Sequence, residues 1–499
     1  MLSDDPLQPT DIGRSKSFVP PAFSQKQSSL DRRRVAVLPL QNISPDPKDE
    51  YFAVGLTDEL TSTISKIHGL SVISSTSAMQ YKNRSKSIVE VGRELNVGTL
   101  LEGSVRKSGN TLRVTIQMID GTKDDHVWVE SYDRELRDVF VIQSDIAERV
   151  AEALQIQLLN DEKKEIQKRT TENPEAFTLY LKGRFFWNQR ELDGFKKALE
   201  LFQQALDNDP AFAPAYAGLA DTYLLLGRAG HSSPKLTYPK AVELAEKAIS
   251  LDARLPEPHV AIAAIRQEYE WRWQESEVEF KRAIELNPSY SIAHIWYALY
   301  LGHVGRFDEA IQRASKALEL DPMSPRIYCG ASEEYLFARQ YDRAIECTER
   351  ALEISPDFGG AYGYRAYAYM EKKMHDEAIA DFHRAGRMLG ARAWKGRLGH
   401  AYGLSGRTKE AEKILDELTA ESGQSAPQRP FIPPPPTTAF DKALVYLGLG
   451  KNSQAIDWLE KACDERTAEI IHVKCEPIYD NVRDEPRFKA LIRRIGLAS

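Results

Sequence analysis

The chain has 499 residues, 42% of them hydrophobic and 28% charged, with a formal net charge of -7. That length exceeds one compact core and implies roughly two to four domains. The acidic balance argues against broad, sequence-independent nucleic-acid binding, which needs Lys and Arg to neutralise phosphates, and no run approaches the roughly 18 apolar residues of a membrane-spanning helix.

Residues 1–32 are rich in Ser, Pro, Gln and Asp without periodicity, and they read as a disordered leader. The N-terminus lacks the basic-then-apolar pattern of a secretory signal. Cys329, Cys347, Cys463 and Cys475 are scattered, with no CxxC spacing. These features together point to a reducing cytoplasm and to buried thiols, not a disulfide framework or a metal site.

Order is expected from RRRVAVLPL onward. Val35–Leu40 reads as a buried strand, followed by a helix from about Tyr51 to Ile67 with Phe52, Leu56, Leu60 and Ile64 on one face. LSVIS is a second strand and SIVEVGRELN a second helix. From Thr99 the period becomes two: LLEGSVRKSGNTLRVTIQMID is a hairpin turning at Lys107–Asn110, and HVWVESYDREL alternates Val127, Val129 and Ser131 against His126, Trp128 and Glu130. A helix over Val139–Leu159 turns Ile142, Ile146, Val150 and Leu154 toward the sheet. Residues 33–160 thus form an α/β sandwich of ordinary single-domain size. VAVLPLQNISPDPKDEYFAVGLTDEL, LLEGSVRKSGNTLRVTIQMID and VWVESYDREL resemble the TolB amino-terminal-like (FlgO-like) domain. The resemblance implies repeats downstream and an upstream effector: a class III nucleotide cyclase, a winged-helix DNA-binding domain or a protein kinase. A 32-residue leader is too short for any of these. The expectation is that the chain carries no such activity and acts on a separate partner.

An internal repeat dominates residues 174–420. Pro288, Pro322 and Pro356 recur every 34 residues, as do Ala310, Ala344 and Ala378 within RFDEAIQ, QYDRAIE and MHDEAIA. Small residues (Ala298, Ala310, Ala317, Ala331, Ala344, Ala351, Ala366, Ala378, Ala385) suit close helix crossings. Proline after Asp, Asn or Ser ends each second helix. Such units must stack to bury their apolar faces. The pattern resembles the tetratricopeptide repeat, an all-α solenoid, in about eight units. Units one to three carry insertions or an altered turn, EYEWRWQESE in the third, where Trp271 and Trp273 are also candidates for self-association. Units four to six are regular.

Residues 424–438, QSAPQRPFIPPPPTT, read as a stiff spacer, with a polyproline II ligand as the other reading. The eighth repeat and a capping helix occupy 439–499. GLGKN at 448–452 lacks the first glycine and the Ser/Thr of a phosphate loop and reads as a repeat turn. His375-Asp376-Glu377 fits the H-x-E fragment of zinc deaminases without its PCxxC and is also a repeat turn. Carboxylates follow exposed helix faces. No catalytic, cofactor-binding or metal-binding residue is assigned.

In tetratricopeptide repeats the first helix of each pair lines the inner groove. By that resemblance the contacts for a partner are Tyr180, Arg184, Trp187, Asp221, Ile292, Ile295, Leu299, Arg326, Glu333, Phe337, Tyr367 and Met370. His400 belongs to the same face and is read first as a hydrogen-bonded surface histidine. An aromatic, mixed-charge groove suits an extended peptide or a partner helix. The reading is a non-enzymatic scaffold or signalling adaptor. The alternative is the sensory half of a nucleotide cyclase or transcriptional regulator.

Overall fold

The computed structural model describes residues 30–83, 85–390, 392–421 and 439–497. Most of the leader and the proline-rich spacer therefore lie outside the described residues. The N-terminal part contains, in chain order, β1 (Arg34–Val37), β2 (Gln41–Asn42), α1 (Glu50–Ser65), β3 (Ser71–Val72), α2 (Ser75–Met79), α3 (Ile88–Leu95), β4 (Thr99–Ser108), β5 (Thr111–Asp120), β6 (Asp125–Glu135), α4 (Val139–Ala153) and α5 (Asn160–Ile166). They build a mixed sheet of order β3-β1-β4-β5-β6, with β2 also on β4. The β1 pairings are parallel and the β4-β5-β6 meander is antiparallel.

Period-two patterning sends Leu112, Val114, Ile116 and Met118 to one face, where α1 and α4 cover them with Leu56, Leu60, Ile146 and Val150. On the other face, Ile88, Val91 and Leu95 of α3 cover Ala36 and Leu100. α3 is held by a Ser87–Glu90 capping box and stops at Asn96, which adopts the left-handed conformation. That second face is only partly covered. Over β5 and β6 it is a polar ladder, with Arg113 paired to Asp133 at 2.7 Å and Thr115 to Ser131 at 3.1 Å. Trp128 and Tyr132 turn to the core and Val129 is left 54% exposed.

Eight helix pairs follow among the described residues. They are α6 (Pro174–Trp187) with α7 (Leu192–Asn208), α8 (Ala213–Arg228) with α9 (Pro234–Leu251), α10 (Pro256–Ile265) with α11 (Trp273–Leu286), α12 (Ser291–Val304) with α13 (Phe307–Leu320), α14 (Pro325–Phe337) with α15 (Tyr341–Ile354), α16 (Gly359–Glu371) with α17 (His375–Leu389), α18 (Lys395–Leu404) with α19 (Thr408–Glu421), and α20 (Ala439–Gly448) with α21 (Asn452–Glu465). The alanines read as helix crossings are fully buried. GLGKN is the turn between α20 and α21, and His375 opens α17. In the third pair α10 runs into one π-helical turn, Arg266–Glu270, before Trp271 takes positive φ. Among the described residues no helix is long and apolar enough to cross a membrane.

Two long-range contacts shape the molecule. First, α1 packs on α6, with Gly55 against Leu181 so closely that a Cβ would lie 2.9 Å from its Cδ2. One apolar core consequently runs from the sheet into the first two repeats. The chain at β3 also meets the fourth pair at both its ends: Ser289, just before α12, bonds the Val72 amide, and Leu320, closing α13, accepts from the Ser74 amide. Second, the chain beyond α21 turns back across the solenoid as two 3-10 helices, Ala468–Lys474 and Pro477–Val482, and α22 (Pro486–Arg494). Both its ends reach the third pair: Arg466, directly after α21, stacks 4.4 Å over Trp271, and Trp273 Nε1 donates to the Ile495 carbonyl at 2.7 Å.

Candidate partner-binding groove

The residues expected on the inner face, all on first helices, fall into three neighbourhoods. At the N-terminal end, Tyr180, Arg184 and Asp221 come together in a cavity of about 120 Å³ closed by α1 and α4, with Asp58, Glu59 and Glu257 on its walls. Tyr180 is buried against Phe202 and Phe212, at ring distances of 5.8 and 5.2 Å. Burial pushes Glu59 and Asp221 up to about 7, against the opposing pull of Arg184. Trp187 lies between two guanidiniums, Arg190 at 3.6 Å and Arg184 at 4.6 Å.

Between this end and the C-terminal half lie Arg190 and Arg326. Arg326 is exposed on α14 and contacts the ring of Phe358 at 5.9 Å. Arg190 and Arg326 have no ion pair among the described residues. Burial, followed by the like charge of Arg326, holds Arg190 down at about 9. Ile295 is buried against Gly330, so it joins α12 to α14.

The C-terminal half is occupied by the chain's own tail. Glu333 accepts from the Tyr364 hydroxyl at 3.0 Å and faces His472 at 3.8 Å. Phe337 is buried beside the rings of His303 and His472. Tyr367 lies under Arg397, whose guanidinium binds Glu476 at 2.6 Å. His400 is not at the surface: it is 5% exposed, and its Nδ1 meets the Leu444 carbonyl at 2.9 Å. Burial lowers it to about 4, so it is neutral near pH 7. The reason is a tight crossing, since Gly403 and Gly448 bring α18 and α20 into backbone contact.

Family models for the tetratricopeptide repeat match residues 279–312 and 329–393. The helix pairs over these residues are tetratricopeptide repeats. Residues 31–149 match the second domain of HilA/YgeH-like transcriptional regulators. The chain is 36% identical over 247 residues to a putative adenylate cyclase 3 of Rhizobium meliloti (strain 1021), a match spanning 49% of this chain and 41% of that protein. Among solved structures, a tetratricopeptide-repeat protein of Thermus thermophilus is 22% identical, covering 39% of this chain and 99% of its own, with a TM-score of 0.33. Human IFIT1, solved as a dimer with m7Gppp-AAAA, is 16% identical, covering 65% and 77%, with a TM-score of 0.42.

The tetratricopeptide-repeat register names first-helix residues but not what packs against them. Asp58, Glu59, His472 and Glu476 reach the repeats only through tertiary docking, and Arg190 sits in the turn after α6, outside the positions the repeat register assigns to the groove. One local signal existed. Glu476 sits among Ile470, Ile471, Val473, Ile478 and Tyr479, and a carboxylate buried with them requires a partner.

Proposed function

We propose that the chain is a non-enzymatic protein-interaction scaffold whose repeat groove holds a segment of a partner polypeptide. The observation that carries this reading is the tail itself. Residues 466–482 already lie along first helices α12 to α18 through ion pairs, stacked rings and apolar contacts. The stretch between this tail and α1 is the place for a partner segment. Arg190, over Trp187, and Arg326, whose like charge reaches Arg190, suit an acidic one, because a carboxylate brought between them relieves their repulsion. Trp187, Arg184, Arg190 and Arg326 are the contacts proposed there. Ile295, Phe337, Tyr367 and His400 instead hold the repeats and the tail together.

A second reading is favoured by the relatives. The HilA/YgeH-like match and the putative adenylate cyclase both fit the regulatory part of a nucleotide cyclase or transcriptional regulator, with the effector on another chain or on a further part of the same protein. The TolB amino-terminal-like reading of residues 33–160 belongs to this proposal and rests on the motifs quoted above.

One experiment addresses both. Affinity capture on the full chain is expected to retain a stable partner that Arg190→Glu with Arg326→Glu releases. A cyclase or DNA-binding effector among the captured proteins supports the second reading. Full retention by the double variant, or no partner at all, overturns the groove assignment.

A further inference from the structure

His303, near the end of α12, Glu333 in α14 and His472 in the tail helix Ala468–Lys474 place their donor atoms within 4.8 Å of one another. Each has its other polar atom already held. His303 Nδ1 meets the Gln267 amide at 2.7 Å, His472 Nδ1 meets Glu476 Oε1 at 3.1 Å, and Glu333 Oε2 accepts from Tyr364. Such outer partners fix the tautomer and aim of ligating histidines. With the Gln267 amide turned so that its oxygen accepts from Nδ1–H, the lone pair of His303 falls on Nε2. That Nε2 is buried without a hydrogen-bond partner, in a residue only 3% exposed. Beside the three donors lies a cavity of about 180 Å³, also lined by Glu268 and Arg228, with room for water.

The geometry points to a binding site for a divalent transition-metal ion of the zinc class, formed by His303 Nε2, Glu333 Oε1 and His472 Nε2. Two imidazoles and one carboxylate are a donor set for Zn²⁺ and its neighbours; Mg²⁺ and Ca²⁺ prefer oxygen alone. Metal–ligand distances near 2.1 Å require donors about 3.4 Å apart. The set therefore closes by roughly an ångström on binding. The rings of His303 and His472 are stacked at 4.8 Å and 5°, and unstacking one of them accomplishes the closure. The remaining coordination position opens to the cavity, for water. Two ligands come from the solenoid and one from the tail, so the ion ties the tail into the groove. This assignment does not depend on the partner reading.

The test uses the full chain, stripped with chelator and titrated with Zn²⁺ by calorimetry, and with Co²⁺ by visible absorption. One equivalent is expected to bind, to raise the melting temperature and to slow amide exchange over residues 468–482. Glu333→Gln and His472→Gln, which keep hydrogen-bonding capacity, are expected to weaken binding at least about tenfold with the circular dichroism unchanged. His126→Ala, at an exposed histidine, is the control and should bind as the wild type. No stoichiometric uptake by the wild-type chain reduces the cluster to a hydrogen-bond network and overturns the site. Equal binding by Glu333→Gln and the wild type overturns it as well, even where His472→Gln fails to fold.

Discussion

Arg397 and Glu476 show what a single pair contributes. Both are buried, at 9% and 1% exposure, and His472 also bonds the carboxylate. Burial opposes ionisation of Glu476, but Arg397 and His472 outweigh it and hold the group down at about 2. An unfolded glutamate titrates near about 4.3. A depressed folded value therefore adds stability that is present above about pH 4.3 and lost as pH falls toward about 2. Arg397→Ala leaves the carboxylate buried and uncompensated, and the expected loss is about 3–5 kcal/mol in chemical denaturation. Glu476→Gln is expected to cost less and to flatten the acid limb of a melting-temperature profile. Equal acid limbs in variant and wild type would show that the pair has little linkage.

At the scale of elements, helix crossings are the restrictive places. A Cβ on Gly448 would run into the backbone of His400, whereas one on Gly386 in α17 meets nothing within 4 Å. Gly448→Ala is expected to destabilise by about 1–3 kcal/mol through overpacking of α18 on α20. Gly386→Ala should be neutral or stabilise by up to about 1 kcal/mol, through helix propensity. Thermal melts of the two variants against the wild type check the contrast. The 34-residue spacing made these helix pairs legible, because Ala310, Ala344 and Ala378 record a local rule repeated in every unit. The strands β4 and β5 were legible for the same reason, period two being local. The π turn after α10 was not, since Trp271 and Trp273 take their positions from Arg466 and Ile495 near the other end of the chain. His400 was misplaced similarly: repeat register alone faces it to the groove, and the crossing with α20 buries it.

At the scale of the molecule, the N-terminal domain and the repeats meet over a cluster of acids. Asp58 and Glu59 of α1 face Asp221 of α8 and Glu257 of α10, with Arg184, Lys66, Lys168 and Arg254 as the cations and Tyr180 between them. Burial raises all four carboxyls, Glu59 and Asp221 to about 7, and Arg184 offsets only part of it. A carboxyl with a raised folded value binds its proton more tightly folded than unfolded. Its contribution is fully present below about pH 4 and is lost as pH rises through about 7. This window lies above that of Glu476 and has the opposite sign, so the two do not cancel in one pH range. The chain is therefore expected to melt at a higher temperature at pH 5 than at pH 8. Amide exchange of α1 and of residues 252–257 should quicken with rising pH. Glu59→Gln with Asp221→Asn removes the two groups raised furthest and is expected to raise the melting temperature at pH 8 while leaving pH 5 nearly unchanged. Parallel profiles for the variant and the wild type across that range would mean that these carboxyls are solvated, and that the domain is held on the repeats by the shared apolar core around Leu181 and Phe177 alone.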